Sequence, residues 1–338
     1  LVTVRKTGGL GSEGLTAVAD FVVWYWKSMA QKKHSRLYLD KLASGVSEQY
    51  RYARLPAGES APFRDPTDLP SMSRIFSPTS LHTMYAGVES YLYEFELDGK
   101  PVRIGAAAKG AGMIHPNMAT MLSFITTDVA IAPAMLDSAL RLAVRRSFNR
   151  VTVDGDTSTN DMVLILANGK AGNTPIEKDS ANFQRFSAAL EQVCINLARA
   201  IARDGEGATR LVTCTVKGAK DEECGEKLAK SVVGSSLVKA ACFGADANWG
   251  RILCAMGYSG ADFEPETVSV HFKSTAGEVA VCKGGASIPF SEELAKRVLS
   301  QEEIEILIDI VNSGTSSATC WGCDLTYDYV KINGDYRS

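Results

Sequence analysis

Long apolar runs are absent from this sequence of 338 residues, so no segment is expected to cross a membrane as a helix. An excess of charge of one sign is absent too, because 36 basic and 39 acidic side chains leave a net charge of −3. That balance excludes the strongly basic surface with which proteins bind nucleic acids or anionic membranes. No signal peptide is recognisable, which predicts a cytoplasmic protein, and the first residue is Leu1 rather than Met, which predicts that the natural start lies upstream.

Cysteine is absent from the first half of the chain, and the eight cysteines of the second half stand mostly in apolar segments. This pattern is typical of reduced, buried thiols in a cytosolic protein. Only Cys320 and Cys323 are close enough in sequence to act together. A redox pair would need a lowered thiol pKa, and a zinc site would need a second pair of ligands. We therefore expect no metal and no cofactor, with the redox and zinc interpretations kept as less favoured alternatives.

Regular patterns begin near residue 91. Residues 55–80 contain five prolines among many Ser, Asp and Arg, a composition typical of loops. Residues 93–97 then alternate between apolar and polar, Asp98 and Gly99 follow, and the alternation resumes at residues 102–104, which predicts a β-hairpin.

Helical and strand patterns interleave in the rest of the chain. Apolar residues recur every four positions across residues 133–148 and form a stripe across residues 183–201, which predicts two helices. Further helices are predicted at about residues 221–233 and 291–299. Strands are predicted at residues 162–167, 211–216, 268–272, 304–311 and 325–332. The predicted fold class is therefore α/β or α+β, with sheets covered by helices.

The segment from Lys109 to Asp128 is the most informative one for chemistry. It contains Gly110 and Gly112, which permit tight turns, and Thr120, which follows a small residue at the edge of an apolar run. A threonine hydroxyl is a poor nucleophile unless a base lies beside it. If the bond before Thr120 were cut, the new α-amine, with a pKa of about 7.7–8.0, could be that base. From the residues alone, a glycine turn followed by a buried strand is the simpler interpretation.

Motifs in this and later segments resemble, in the same order, those of the ornithine acetyltransferase (glutamate N-acetyltransferase) family. The resemblance covers about residues 94–338, and beyond the segment just described it rests on residues 154–161, 202–208, 239–244, 248–251, 257–260 and 321–333. It implies an α/β fold with sheets sandwiched between helices. It also implies self-cleavage between Ala119 and Thr120 into an α piece (1–119) and a β piece (120–338), which assemble as two of each.

The activity that this resemblance implies is acyl transfer in arginine biosynthesis. An acetyl group would pass from N-acetylornithine to glutamate through an ester on Thr120, and acetyl-CoA as a further donor is left open. At matching positions, Lys109 and Glu206 would contact the substrate, while Asn333 and Ser338 would close the site from the C-terminal side. The family usually has Thr where this chain has Ser338, and both residues offer a hydroxyl.

Simpler explanations exist for several of these residues. Lys109 could be a solvated charge in a loop. Glu206 could be a turn residue after a helix. A carboxylate at the C-terminal end of a helix is unfavourable for the helix dipole, however, and such local conflicts are found at functional sites. His115 could act as a base, but we expect it to be structural because the α-amine already serves. Residues 154–161 lack the Gly and Glu that an EF-hand requires, so they are expected to form a polar loop that hydrogen bonds to itself.

Residues 1–90 do not resemble the family, and its oxyanion-stabilising Thr-Gly segment is not recognisable there. A strand at residues 1–4, a Gly-x-Gly-x-x-Gly pattern at 9–14, a helix at 15–26 and a strand at 36–40 would instead follow the order of a dinucleotide-binding unit. A misjoined or frameshifted N-terminal segment explains the same residues at least as well. The alternatives to the transferase are thus an impaired remnant without an oxyanion site, a related aminopeptidase or hydrolase, and a nucleotide-binding oxidoreductase.

Overall fold

The computed structural model describes residues 89–115, 121–157, 161–311 and 313–335, together with the backbone of five short strands between residues 2 and 76. The chain divides into two compact units, Leu1–His82 with Tyr336–Ser338, and Thr83–Asp335. Among the helices in these ranges, none has both the length and the apolarity that crossing a membrane requires.

The first unit contains two small antiparallel sheets. One pairs β1 (Val2–Arg5) with β2 (Asp20–Val23), and the other has the order β4 (Ser60–Pro62), β3 (Tyr52–Arg54), β5 (Arg74–Phe76). The predicted strand at residues 1–4 is therefore confirmed. The prediction of continuous loop at residues 55–80 is wrong, since two strands form there.

The predicted helix at residues 15–26 is wrong, because Asp20–Val23 is a strand that pairs antiparallel with the first one. Phe21, Val22 and Val23 are residue types that favour extended backbone. A dinucleotide-binding unit needs a helix between parallel strands, so this pairing contradicts it. The strand predicted at residues 36–40 lies outside the described residues.

The second unit begins with a four-stranded sheet. Its strands, in spatial order, are β6 (Glu89–Leu97), β7 (Lys100–Lys109), β8 (Leu122–Thr127) and β9 (Met162–Ala167). β6 and β7 are the predicted hairpin, and Asp98 and Gly99 have φ angles of 53° and 68°, as a two-residue Asp-Gly turn requires. β8 runs antiparallel to β7 and parallel to β9, so that β8 and β9 begin at the same end of the sheet.

Two helices cover one face of this sheet. They are α1 (Pro133–Arg146), which continues into a 3₁₀ turn at Phe148–Arg150, and α2 (Ala181–Arg203), whose N-cap Ser180 accepts a hydrogen bond from the backbone N–H of Phe183. Their apolar stripes form one core with the strand residues that face them, including Val102, Ile104 and Ile125. Both predicted helices are confirmed, because their four-residue periodicity matches a real buried face.

A six-stranded mixed sheet forms the second core. Its order is β13 (Ala286–Ser287), β12 (Gly277–Lys283), β11 (Val268–Ser274), β14 (Glu303–Ile310), β10 (Leu211–Ala219), β15 (Ser316–Cys323). Only the β10–β14 pair in this sheet is parallel. The remaining helices are α3 (Glu222–Gly234), α4 (Ser236–Phe243), α5 (Trp249–Gly257), α6 (Glu292–Leu299) and α7 (Tyr327–Asp335), with a 3₁₀ turn at Pro265–Thr267. The α2 helix contacts strands of both sheets.

The mixed α/β class is confirmed, but the C-terminal assignment is wrong. Residues 325–332 were expected to form a strand from their aromatic and β-branched content, whereas Tyr327–Asp335 is helical and Tyr327 is 82% exposed. The strand that pairs with β10 is Ser316–Cys323, which is rich in small residues. Pairing with β10 therefore made residues 316–323 a strand, whereas the high β-propensity of residues 325–332 did not make them one.

Candidate active site

Lys109 is the last residue of β7, where it pairs in register with Leu122, the first residue of β8. The connection between these two strands carries the predicted cleavage bond. Ala119 and Thr120 in that connection, and Ser338 at the end of the chain, lie outside the described residues. The structure thus places Lys109 at the entrance of the connection and Met121 and Leu122 at its exit.

The first part of this connection is held by one carboxylate. Asp154 Oδ2 accepts a hydrogen bond from the backbone N–H of Met113 at 2.6 Å, and Oδ1 accepts one from Ile114 at 3.0 Å. Met113 has a φ angle of 54°, which residues other than glycine rarely adopt, so these bonds offset local strain. The Tyr329 hydroxyl also donates to Asp154, at 3.4 Å, and burial together with this carboxylate raises the pKa of Tyr329. Residues 154–157, the described first part of the predicted polar loop at 154–161, bond to one another and also to the glycine-rich segment.

Glu206 and Asn333, which stand far apart in sequence, meet at this segment. Asn333 Nδ2 donates to Glu206 Oε2 at 3.0 Å, and the backbone N–H of Glu206 donates to the Ala111 carbonyl at 2.9 Å. Gly112 lies against the same carboxylate, because a Cβ on this glycine would stand 2.4 Å from Glu206 Oε2. Two of the predicted substrate residues are thus brought together beside the loop that leads to Thr120.

The turn that carries Glu206 is fixed by residues from the C-terminal part of the chain. Thr326 Oγ1 donates to the carbonyl of Gly207 at 2.6 Å. The buried Asp324 carboxylate accepts from the backbone N–H groups of Thr209 and Arg210 at 2.8 and 2.9 Å. These contacts give residues 321–333, one of the motifs of the resemblance, a role in orienting Glu206.

The residue that follows Thr120 is held by Asp161, which the sequence interpretation missed. Asp161 Oδ1 accepts a hydrogen bond from the backbone N–H of Met121, and the carbonyl of Met121 accepts one from Met162 at 2.9 Å. Asp161 is half-buried, yet its Oδ2 atom is fully buried and has no hydrogen-bond partner among the residues that the structure describes. Burial raises the pKa of the Asp161 carboxyl to about 6, against the opposing effect of the Met121 hydrogen bond.

His115 contacts a threonine hydroxyl, and both cysteines of the pair are buried. His115 Nδ1 lies 3.0 Å from Thr152 Oγ1, and burial, with the nearby Lys230 charge, lowers the pKa of the imidazole. Burial raises the pKa of the Cys320 thiol to about 12 and also raises that of Cys323, which opposes the thiolate that redox chemistry needs. Within the described ranges, no group of three or more His, Cys, Asp and Glu side chains is arranged to hold a metal ion.

Two further motifs stabilise the scaffold. Asn248 caps α5 by accepting a hydrogen bond from the backbone N–H of Arg251 at 3.1 Å, and the Arg251 guanidinium donates to the Leu237 carbonyl at 2.8 Å. Lys239 is buried on α4, where its ammonium donates to the carbonyl of Cys323 at 2.5 Å. These residues connect the helices above the second sheet to β15.

Comparison with known families decides what this arrangement belongs to. Residues 80–338 match the model of the ArgJ family. This chain belongs to the ArgJ family. The match begins earlier than the expected boundary near residue 94, so part of the segment without recognisable motifs belongs to the family as well.

Similar proteins carry the same family name. "Arginine biosynthesis bifunctional protein ArgJ" of Symbiobacterium thermophilum is 56% identical over 243 residues, which are 72% of this chain and 59% of that protein. The protein of the same name from Oceanobacillus iheyensis is 45% identical over 303 residues, 90% of this chain and 69% of that protein. This longer alignment reaches into residues 1–90. Against the first curated relatives, the chain spans about 60% of their length.

A crystal structure shows the same fold. The arginine biosynthesis bifunctional protein argJ from Bacillus halodurans matches with a TM-score of 0.60 and 44% identity. The match covers 64% of this ArgJ-family chain and 100% of the crystallised chain.

Proposed function

We propose that this chain is a self-cleaving ornithine acetyltransferase, which moves an acetyl group from N-acetylornithine to glutamate through an ester on Thr120. The observation that carries the proposal is the grouping of Glu206 and Asn333 against Gly112, in the segment that runs from Lys109 to Thr120. Residues from three distant parts of the sequence meet here, and two of them are residues to which the resemblance gives a role in substrate binding. The ArgJ names of the relatives support the same activity.

The charges of these residues suit the substrate. N-acetylornithine has a carboxylate and a side-chain ammonium group, so its recognition calls for one cation and one anion. Lys109 would bind the carboxylate and Glu206 the ammonium, since charged hydrogen bonds of this kind are short and orienting. Asn333 orients the Glu206 carboxylate, and Ser338 would complete the site from the end of the chain.

Self-cleavage would prepare the nucleophile. The Thr120 hydroxyl attacks the carbonyl carbon of Ala119, the bond between that carbon and the Thr120 nitrogen breaks, and the hydroxyl proton passes to the nitrogen. Water then hydrolyses the resulting ester, which leaves a carboxylate on Ala119 and a free α-amine and hydroxyl on Thr120.

Acetyl transfer would then use the same threonine twice. The α-amine of Thr120 accepts the hydroxyl proton as the oxygen attacks the acetyl carbon, and the proton passes to the departing ornithine nitrogen. The amino group of glutamate next attacks the acetyl carbon, the bond between that carbon and the Thr120 oxygen breaks, and a proton passes from the glutamate nitrogen to that oxygen. This gives N-acetylglutamate and restores Thr120. Preorganised donors at the developing oxyanion would supply much of the rate enhancement.

The assembly and setting follow the same resemblance. The two pieces would remain together as two of each, in the cytoplasm, with each sheet covered by helices. The word "bifunctional" in the names of the relatives supports a second activity, for which we propose acetyl-CoA as an additional acetyl donor.

Turnover of the purified chain tests the proposal. Ornithine release from N-acetylornithine is expected to depend on glutamate, with one N-acetylglutamate formed for each ornithine. Release at the same rate without glutamate would identify a hydrolase. Absence of release and of cleavage would identify an inactive remnant.

Replacing Glu206 with Gln should lower kcat/KM for N-acetylornithine about 10–100-fold, since the loss of a charged hydrogen bond typically costs about 1.5–3 kcal/mol. The amide can still accept the hydrogen bond from Asn333, so the melting temperature should change little. Steady-state kinetics and a thermal melt of one preparation measure both quantities. Glu177→Gln, at an exposed position, is the control, and equal kcat/KM in the two variants would refute the role of Glu206.

Replacing Gly112 with Ala should also impair the site more than the fold. The new Cβ would meet the end of the flexible Glu206 side chain, which can move away without displacing backbone. We therefore expect kcat/KM to fall by about tenfold or more, as small displacements of positioning groups do, with a nearly unchanged melting temperature. Gly257→Ala is the matched control, because a Cβ there meets nothing within 4 Å. A Gly112→Ala enzyme with normal kinetics would show that Glu206 need not lie against this loop.

A further inference from the structure

The Asp154 carboxylate accepts hydrogen bonds from two different elements. In the loop that follows β7, the backbone N–H groups of Met113 and Ile114 donate to its Oδ2 and Oδ1 atoms at 2.6 and 3.0 Å. On α7, the hydroxyl of Tyr329 donates to Oδ2 at 3.4 Å. Burial and the Asp154 charge raise the pKa of Tyr329, so its hydroxyl stays protonated and remains a donor at neutral pH. One side chain thus connects the loop to the helix.

Both of these elements also hold Glu206. On the loop side, the Ala111 carbonyl accepts the backbone N–H of Glu206 at 2.9 Å, and the Glu206 carboxylate lies against Gly112. Gly112 is the residue directly before Met113, one of the two that Asp154 binds. On the helix side, Asn333 donates to Glu206 Oε2 at 3.0 Å. The position of the Glu206 carboxylate therefore depends on the loop and on α7 together.

The contacts form a closed ring. Asn333 stands one helical turn after Tyr329, and its Nδ2 atom also donates to the Tyr329 carbonyl at 3.1 Å. One path from Asp154 runs through the loop to Glu206, and the other runs through Tyr329 and Asn333 to the same carboxylate. A binding group is held precisely when the residues around it are themselves fixed by hydrogen bonds, and Asp154 is the point at which both paths meet.

We propose that Asp154 is a positioning residue, which sets the place of the Glu206 carboxylate in the substrate site by connecting the loop after β7 to α7. This inference rests on the proposed function, in which Glu206 binds the side-chain ammonium group of N-acetylornithine. Asp154 would then act on the substrate through Glu206. Its loss should weaken binding in the ground state and the transition state alike, which raises KM and changes kcat little.

The alternative is a purely structural role, in which Asp154 only offsets the strained backbone of Met113, whose φ angle is 54°. Both roles predict a lower melting temperature for Asp154→Asn, so that variant alone does not separate them. Tyr329→Phe separates them, because it removes the hydrogen bond to α7 and leaves both hydrogen bonds to the loop. Tyr327→Phe is the matched control, since it removes the hydroxyl of an 82% exposed side chain from the same helix.

Steady-state kinetics of the full chain, normalised to the cleaved fraction, measure the KM for N-acetylornithine. Asp154→Asn should raise this KM about 10–100-fold, as the loss of a charged hydrogen bond does, and Tyr329→Phe about 2–10-fold, because its hydrogen bond is longer. Asp262→Asn and Tyr327→Phe, both at exposed positions, should equal the wild type. In a chain that already carries Glu206→Gln, the Asp154 and Tyr329 substitutions should each change KM less than twofold, because no charge remains to be positioned.

Hydrogen exchange gives a readout that does not depend on activity. In Asp154→Asn, the backbone amides of α7 should exchange about 2–10-fold faster than in the wild type, although the substituted residue lies on another element. Equal KM in Tyr329→Phe and Tyr327→Phe, or the same factor with and without Glu206→Gln, would overturn the positioning role. Unchanged exchange in α7 would overturn it as well.

Failure of the proposed function would look different. A wild-type chain without glutamate-dependent turnover would refute that function, whereas the exchange experiment on the same chain would still decide whether Asp154 connects the loop to α7.

Discussion

Thr120→Ala is expected to leave the chain as a single species of full-length mass, whereas the wild type should separate into pieces that begin at Leu1 and Thr120. The substitution removes the only oxygen that can attack the Ala119 carbonyl in the proposed reaction. It also removes the acetyl carrier, so glutamate-dependent release of ornithine should fall by about 10⁴–10⁶-fold, as the loss of a covalent nucleophile does in other enzymes. Intact mass and N-terminal sequencing measure cleavage, and a turnover assay measures transfer.

Thr120→Ser supplies the matched control. Serine keeps the hydroxyl and the α-amine and loses only a methyl group, so cleavage and transfer should persist at reduced rates. The pair of variants separates loss of the nucleophile from loss of packing at this position. Efficient cleavage of Thr120→Ala at the same bond would refute Thr120 as the attacking residue.

The second large effect concerns the face of the four-stranded sheet opposite to α1 and α2. Alternate residues of its strands point away from α1 and α2. On β8 and β9 all of these except Thr126 are apolar, and they are only partly buried: Leu122, Phe124, Met162, Leu164 and Leu166. On β6 of the same sheet, Leu92 is 75% exposed. Sheets with two apolar faces are normally covered on both, and exposed apolar patches of this kind promote association. Lys109 alternates onto this same face, beside Leu122.

Relatives such as the Symbiobacterium thermophilum protein have additional length beyond what matches this chain. Replacing residues 1–88 with the corresponding N-terminal segment of that relative should raise solubility and increase both cleavage and transfer by about 10²–10³-fold. The resemblance assigns the oxyanion donors to that segment, and one such donor typically contributes a factor of this size. Sedimentation, cleavage half-time and turnover of the chimera, compared with the original chain, measure the three effects.

The same replacement in the Thr120→Ala chain is the control, since it should restore solubility without restoring cleavage. The prediction is wrong if the original chain already turns over N-acetylornithine and glutamate at about 10 s⁻¹, an ordinary enzyme rate. In that case, the oxyanion donors would lie within the residues of this chain.

Sequence periodicity predicted the fold well where an element is long and has one apolar face. The hairpin around Asp98 and the stripe from Phe183 to Ile201 are such elements, and both were located within a few residues. The short helices α4 and α5 were not predicted, although α6, which is equally short, was. The strand Ser316–Cys323 was missed because its small residues become a strand only through pairing with β10.

The candidate site was predictable only through the resemblance. Nothing local in the sequence indicates that Asn333 bonds to Glu206, or that Gly112 must be small because a carboxylate lies against it. Asp161 carried a weak signal, a single carboxylate directly before an apolar strand. The hydrogen bond that Asp161 accepts from the Met121 N–H depends on the parallel pairing of β8 with β9, which is a long-range property of the sheet.

The strand order bears on which comes first, assembly of the four-stranded sheet or cleavage of the chain. The proposed scissile bond lies in the connection between β7 and β8, which are neighbours in one sheet, paired from Ile104 with Thr127 to Lys109 with Leu122. After cleavage, each piece would contain only part of the four-stranded sheet and part of its core, and neither piece would be a complete domain. The two pieces would then be joined by the backbone hydrogen bonds between β7 and β8. The sheet therefore has to assemble before the bond between Ala119 and Thr120 breaks. Separating the two pieces afterwards would amount to unfolding both.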